Sequence, residues 1–254
     1  MEALTIRNNV LIVTGGSRGI GAATSLLAAR LGCAVCVNYL RDERAARAVV
    51  ETITGAGGRA IAVQADVSVE AHVQSLFKSC DELLGKPTAL VNNAGILETQ
   101  MRVEAMDAER LERIFRTNVI GAFLCAREAV RRMSTKNGGT GGAIVNVSSG
   151  ASRLGSPHEY VDYAASKGAI DTLTIGLSKE VAAEGIRVNA VRPGFIKTNM
   201  HASGGEPDRI ERLKDQIPMK RGGEADEVAQ AILWLLSDNA SYVTGSFIDV
   251  TGGR

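Results

Sequence analysis

Short apolar runs alternate with longer amphipathic stretches along this chain. Val10-Leu11-Ile12-Val13, Ala34-Val35-Cys36-Val37-Asn38, Ala60-Ile61-Ala62-Val63-Gln64, Ala89-Leu90-Val91-Asn92 and Ala143-Ile144-Val145-Asn146-Val147 are nearly continuous in hydrophobicity. Strands buried on both faces of a parallel sheet have this pattern. Between them, residues 20–31, 43–54, 69–84 and 107–132 read as helices, the last as one long helix containing Asn118. Gly32, Gly55-Ala56-Gly57-Gly58 and Gly85-Lys86-Pro87 are the stop signals. Beyond the glycine-rich loop Asn137–Gly142, a helix carrying Tyr163 runs to Glu184 and stops at Gly185. A strand at Arg187–Val191, a helix at Glu224–Leu236 and a last strand at Gly245–Val250 follow. Strand–helix alternation of this kind predicts an α/β, doubly wound parallel sheet of about seven strands with helices on both faces. Right-handed crossovers then place a ligand crevice at the carboxyl ends of the strands. Residues 197–221 lose hydrophobic periodicity and contain Gly204-Gly205-Glu206-Pro207, the profile of a substrate lid inserted after a crevice strand.

Composition narrows the function classes. The chain has 254 residues, enough for one large core, with 45% hydrophobic and 22% charged residues and a net charge of +1. That balance gives no electrostatic case for nucleic acid or an anionic membrane surface as partner. No apolar run approaches the ~18 residues of a spanning helix. Met1–Asn9 shows neither a basic region nor a small-residue cleavage site, so a cytoplasmic location is expected. Cys33 and Cys36 are spaced C-x-x-C, but both fall in or beside an apolar strand and no second ligand pair exists. They read as small buried hydrophobes rather than metal ligands, and no metal is expected.

The crevice end of the pattern carries the candidate chemistry. The first strand runs into Thr14-Gly15-Gly16-Ser17-Arg18-Gly19-Ile20-Gly21 and then a helix. Gly15, Gly19 and Gly21 would let backbone approach a pyrophosphate, which would meet the free N–H groups of the helix start. A site for NAD usually offers an acid at the end of the second strand, to the ribose 2′-OH. Here that end reads Asn38-Tyr39-Leu40-Arg41, with no acid before Asp42. Arg18 and Arg41 would together hold a 2′-phosphate, so NADP(H) is expected over NAD(H). Asp66-Val67 falls where an adenine would lie, and Asn92-Asn93-Ala94-Gly95 closes the fourth strand. Ser148-Ser149 closes the fifth, and a serine hydroxyl there would reach a substrate oxygen. No G-x-S-x-G surrounds it, and His72, His158 and His201 supply no triad partner, so a hydrolase is disfavoured. Tyr163 and Lys167 lie four apart, on one face of a helix. A nearby ammonium would lower the phenol's pKa and make it an acid/base group for an alcohol or carbonyl, at roughly 1.36 kcal/mol per unit.

Taken together, Thr14–Gly21, Asn92–Gly95, Asn118, Ser149, Tyr163, Lys167 and Pro193-Gly194 resemble the short-chain dehydrogenase/reductase family, in order and over essentially the whole chain. Within it the chain resembles bacterial 3-oxoacyl carrier-protein reductases and glucose dehydrogenase-like members. It is also similar to bacterial members with a Gly-Ser-Pro-x-Glu-Tyr-Val-Asp-Tyr segment, here Gly155–Tyr163. The resemblance implies a single Rossmann domain over residues 1–254 and a nicotinamide-dependent oxidoreductase acting on a small carbonyl or alcohol. Tyr163 would be the acid/base and Lys167 its modulator and ribose ligand. Ser149 would polarise the carbonyl and Asn118 would hold a relay water. Asp66 and Val67 would touch adenine; Asn92, Ala94 and Gly95 would flank the adenosine ribose. Pro193, Gly194, Ile196 and Thr198 would meet the nicotinamide. Tyr160 would line the substrate pocket. A homotetramer, or a homodimer, is common in relatives. The substrate stays open between a general carbonyl, a 3-oxoacyl thioester and a sugar, and a non-catalytic NADPH sensor or scaffold is the alternative of a different class.

Overall fold

Alternate residues of each apolar run face opposite ways, and both ways are covered. The computed structural model describes Ile6 and residues 10–254, so Met1–Asn9, read above for a leader, lies outside the described residues apart from Ile6. Chain order is β1 (Val10–Val13), α1 (Gly19–Arg30), β2 (Ala34–Tyr39), α2 (Glu43–Gly55), β3 (Ala60–Gln64), α3 (Glu70–Leu83) and β4 (Ala89–Asn92). There follow α4 (Ala108–Phe115), a π turn (Arg116–Ile120), α5 (Gly121–Met133), β5 (Gly142–Val147), α6 (Ala151–Leu154), α7 (Val161–Val181) and β6 (Ile186–Pro193). The last elements are α8 (Met200–Ser203), α9 (Arg209–Leu213), α10 (Ala225–Leu236) and β7 (Phe247–Val250). Leu11 and Val13 join one buried cluster with Ala28 of α1, Ala46 of α2 and Val228 of α10. Ile12, between them, joins another with Leu76 of α3, Cys125 of α5 and Val181 of α7. Val35, Cys36 and Val37 split in the same way. The side-chain period of two explains why these strands carry no polar face. Cys33 and Cys36 thus serve opposite faces, and all four cysteines are free and buried. Burial pushes the Cys125 thiol up to about 12, so it packs as an uncharged hydrophobe.

The seven strands form one sheet of order β3-β2-β1-β4-β5-β6-β7, with every pair parallel. The order reverses between β1 and β4, where Val13 has Val37 on one side and Val91 on the other. A sheet of this kind opens its crevice beyond the strand ends at that reversal. The doubly wound expectation therefore holds, with local corrections. The helix expected over 107–132 is interrupted by the π turn, which rotates Asn118 into the protein, where it is 1% exposed. The sixth strand runs past Val191 to Pro193, because Pro193 pairs with Val250 of β7. The seventh begins at Phe247 rather than Gly245, which sits at φ +71° and donates its N–H to the Val188 carbonyl at 2.7 Å. Residues 197–221 form α8, α9 and a 3₁₀ turn, and the excursion closes on itself. Gly223 N–H donates to the Phe195 carbonyl and Lys197 N–H to the Gly223 carbonyl, each at 2.9 Å. Among the described residues no helix is long and apolar enough to cross a membrane.

Candidate active site

Helix α7 sets Tyr163 and Lys167 one turn apart and faces both inward, 9% and 4% exposed. The Lys167 Nζ donates to the Val147 carbonyl at the end of β5, at 2.8 Å, and lies 5.6 Å from the centre of the Tyr163 ring. Burial pushes the Tyr163 phenol up to about 12, against the pull of a hydrogen bond with Ser149. Burial pushes Lys167 down from 10.5 to about 8, against the attraction of Asp171. The Tyr163 shift is opposite to the one expected from spacing alone. Removing both groups from water disfavours the phenolate and the ammonium alike, and the protein's own charges do not offset that cost.

The two adjacent serines separate cleanly. Ser148 is 1% exposed; its hydroxyl donates to Asp171 Oδ1 at 2.6 Å and lies 3.3 Å from the Lys167 carbonyl, tying β5 to α7. Ser149 has no bond to Asp171: its Oγ accepts from the Ala151 N–H at 3.1 Å, and it lines the cavity with Tyr163. Asn118 is spent inside the protein. Its Oδ1 accepts from the Ile96 N–H at 2.8 Å, and its Nδ2 donates to the Ile96 carbonyl at 3.0 Å and to Ser166 Oγ at 3.1 Å. The amide thus clamps the backbone after β4 to α7, beside Lys167.

Across the crevice, Thr14 Oγ1 accepts from the N–H groups of Asn93 and Ala94, at 2.9 and 3.0 Å. Asn93 returns its Nδ2 to the Thr14 and Gly15 carbonyls, at 2.8 and 3.1 Å. The loops after β1 and β4 are thereby locked together. Asn93 belongs to the Asn92–Gly95 run singled out above, and its side chain fixes this loop through backbone carbonyls. The Asn92 side chain turns away, its Nδ2 donating to Asn146 Oδ1 and the Ala122 carbonyl, so only its backbone faces the loop. Asn38 is also buried: its Oδ1 accepts from the Gly15 N–H at 3.1 Å and its Nδ2 reaches the Ala65 carbonyl at 3.0 Å. It shapes the glycine turn, and Tyr39 beside it is 8% exposed. Asp66 Oδ1 accepts from both N–H and Oγ of Ser68, and Val67 packs against Gly121, where a Cβ would come within 2.8 Å of it.

The cradle fits a dinucleotide. A Cβ on Gly21 would lie 2.3 Å from the Gly15 carbonyl oxygen, and one on Gly15, at φ +60°, 3.2 Å from Ala94 Cα. Helix α1 starts without a side-chain cap and without an acid in its first turn, so its N–H groups face an anion unopposed. Ser17 and Ile20 frame that turn; Gly19 approaches Thr198. Arg18 and Arg41 are exposed, and among the described residues neither is in an ion pair. Gly95 sits by Asn118 and Lys167: a Cβ there would be 3.4 Å from Asn118 Oδ1 and 3.5 Å from Lys167 Nζ. Gly194 donates its N–H to the Val250 carbonyl, and a Cβ on it would lie 2.8 Å from Thr251 Cα. A cavity of about 620 Å³ is lined by Ser149, Tyr163, Lys167, Pro193, Ile196 and Thr198, together with Leu154, Phe195 and Leu213. Tyr160 lines it, and its hydroxyl donates to the Gly204 carbonyl of the excursion at 3.3 Å.

This constellation has known counterparts. A family model described as Enoyl-(Acyl carrier protein) reductase matches residues 15–254. The chain belongs to the short-chain dehydrogenase/reductase family. This oxidoreductase is 66% identical over 245 residues to the Uncharacterized oxidoreductase YgfF of Escherichia coli (strain K12), covering 96% of this chain and 99% of the relative. It is 40% identical to a 3-oxoacyl-[acyl-carrier-protein] reductase of Synechocystis sp., covering 100% and 98%. A short chain dehydrogenase from Burkholderia cenocepacia, solved in complex with NADP, superposes with a TM-score of 0.89 at 29% identity, covering 98% of both chains.

Proposed function

We propose that this family member is an NADP(H)-dependent carbonyl reductase, working reversibly as an alcohol dehydrogenase, with Tyr163 as the proton donor. The observation that carries the reading is that Ser149 and Tyr163 line one cavity together, with Lys167 one helical turn from Tyr163. It places two hydroxyl donors where one substrate oxygen would sit. With its phenol pushed up to about 12, Tyr163 is protonated at neutral pH, the form needed to give a proton to a developing alkoxide. Ser149 supplies the second hydrogen bond to that oxygen. Lys167, held by the Val147 carbonyl, keeps a positive or readily protonated group beneath the phenol and within reach of a ribose hydroxyl. Bound NADPH would supply hydride to the carbonyl carbon. Thr14, Gly15, Ser17, Gly19, Ile20 and Gly21 would hold its pyrophosphate. Asp66, Val67, Asn93, Ala94 and Gly95 would receive the adenosine half, and Pro193, Gly194, Ile196 and Thr198 the nicotinamide half. The exposed Arg18 and Arg41 support a 2′-phosphate, as does the NADP complex of the structural relative.

Residues 197–221 would act as the lid over a single domain. The exposed Ile120 and Phe123, 45% and 50% accessible on the π turn and α5, support a homo-oligomer, and a cytoplasmic location belongs to the same reading. A 3-oxoacyl thioester is a second substrate reading, favoured by the Synechocystis relative. The test is NADPH oxidation, followed by absorbance, over acetoacetyl thioesters, diketones, aromatic aldehydes, quinones and keto-sugars, with Tyr163→Phe alongside. One carbonyl reduced by wild type and not by the variant is the expected result. Tight NADPH binding without turnover on the panel, or on sugars and secondary alcohols with NADP⁺, would favour a sensor or scaffold instead.

A further inference from the structure

Arg110 of α4 and Asp162 of α7 form an ion pair inside the protein, with side chains 4% and 0% exposed and an Nε–Oδ2 distance of 2.6 Å. Arg110 Nη1 also donates to the Thr99 carbonyl at 2.8 Å. The second carboxylate oxygen, Asp162 Oδ1, accepts from the backbone N–H of Tyr163 at 2.9 Å. Helix α7 begins at Tyr160 with no side-chain cap, and the N–H groups of a first turn have no intrahelical acceptor. Asp162 supplies one, at the residue that carries the phenol. Stability alone is a poor reason for this pair, because desolvating two charges costs about as much as their attraction returns.

We propose that Arg110 and Asp162 are positioning residues that fix the start of α7, and with it the Tyr163 hydroxyl against Ser149. The inference rests on the reading of Tyr163 as proton donor. Ser166 Oγ, which donates to the Tyr163 carbonyl at 2.7 Å and receives Asn118 Nδ2, braces the same turn from its other side. Tyr163 is thus held at both its N–H and its carbonyl by groups outside the reacting cavity.

The test compares Arg110→Met, Asp162→Leu and the double variant with wild type and Tyr163→Phe, using the carbonyl reduced fastest in the panel. Each single variant leaves one buried charge alone and is expected to be less stable. The double variant removes both charges and should melt close to wild type. Its kcat is nevertheless expected to fall about 10- to 100-fold, the scale of a small misplacement of a catalytic group, with KM and NADPH affinity unchanged. Hydrogen exchange should show the Tyr163 amide losing protection, a readout that needs no substrate. Recovery of kcat together with stability in the double variant would overturn the proposal, and so would a fall in NADPH affinity as large as the fall in kcat. Full turnover by Tyr163→Phe would instead remove the acid/base reading itself, whatever the double variant does.

Discussion

Ser148 and Ser149 are chemically identical neighbours with different surroundings, so exchanging each for alanine separates structure from catalysis. Ser148→Ala removes a 2.6 Å hydrogen bond to the Asp171 carboxylate. A bond to a charged group is worth about 1.5–3 kcal/mol, and Asp171 keeps two bonds from Arg192, so the lower part of that range applies. At about 2–4 °C per kcal/mol for a chain of this size, Tm should fall by about 3–8 °C. Turnover should change little, because Ser148 does not reach the phenol. Ser149→Ala removes a half-buried hydroxyl that accepts one backbone N–H, so Tm should hold nearly constant. Its kcat should fall about 10²- to 10³-fold, the usual cost of deleting one donor to a developing oxyanion. Steady-state kinetics beside differential scanning fluorimetry decides the matter. A Ser148→Ala enzyme that is stable and inactive, or a Ser149→Ala enzyme that is active and unstable, would refute the assignment.

Gly21→Ala places a methyl 2.3 Å from the Gly15 carbonyl oxygen, so the glycine turn must shift and NADPH affinity should drop at least tenfold in a fluorescence titration. Arg41→Ala should weaken NADPH binding much more than NADH binding, by about 1–2 kcal/mol for loss of an exposed charge-assisted contact; an unchanged ratio would move recognition of the 2′-phosphate elsewhere. Lys167 gives a pH test with a definite sign. Its folded pKa of about 8 lies below the ordinary 10.5, so between these values the unfolded chain binds the extra proton and stability rises with pH. Wild type should therefore gain about 2 kcal/mol relative to Lys167→Met between pH 8 and pH 9.5 in urea unfolding. Parallel curves for the two proteins would sink that account.

What could be read from the chain had causes lying within one strand or one helical turn. The strands announce themselves because Leu11, Ile12 and Val13 are all apolar, and the structure confirms a buried cluster on each side of them. Tyr163 and Lys167 are legible as a pair because one turn of helix separates them. What was illegible depends on contacts far apart in sequence. The π turn at Arg116–Ile120 adds no signal to the periodicity, yet it turns Asn118 inward to Ile96, 22 residues back, and to Ser166, 48 residues on. Which asparagine of Asn92-Asn93 faces the crevice depends on where β4 ends, and a boundary one residue off exchanges their roles.

The sign of the Tyr163 shift belongs to this second kind. Spacing places a cation one turn away and argues for a lowered pKa. Burial is the sum of packing by β5, α6 and the excursion over the cavity, and it raises the phenol to about 12. The two statements describe different steps. The protein's own groups hold Tyr163 protonated, which suits the first encounter with a carbonyl. A phenolate, needed to take a proton from an alcohol, requires additional positive charge near the ring. Nicotinamide in its oxidised form carries one positive charge and the reduced form does not. Binding of NADP⁺ should therefore lower the Tyr163 pKa more than binding of NADPH, and ultraviolet difference titration of phenolate in the two complexes would measure the gap. Equal titration midpoints would show that Tyr163 does not sense the nicotinamide charge, and the reversible proton transfer proposed for it would then need another base.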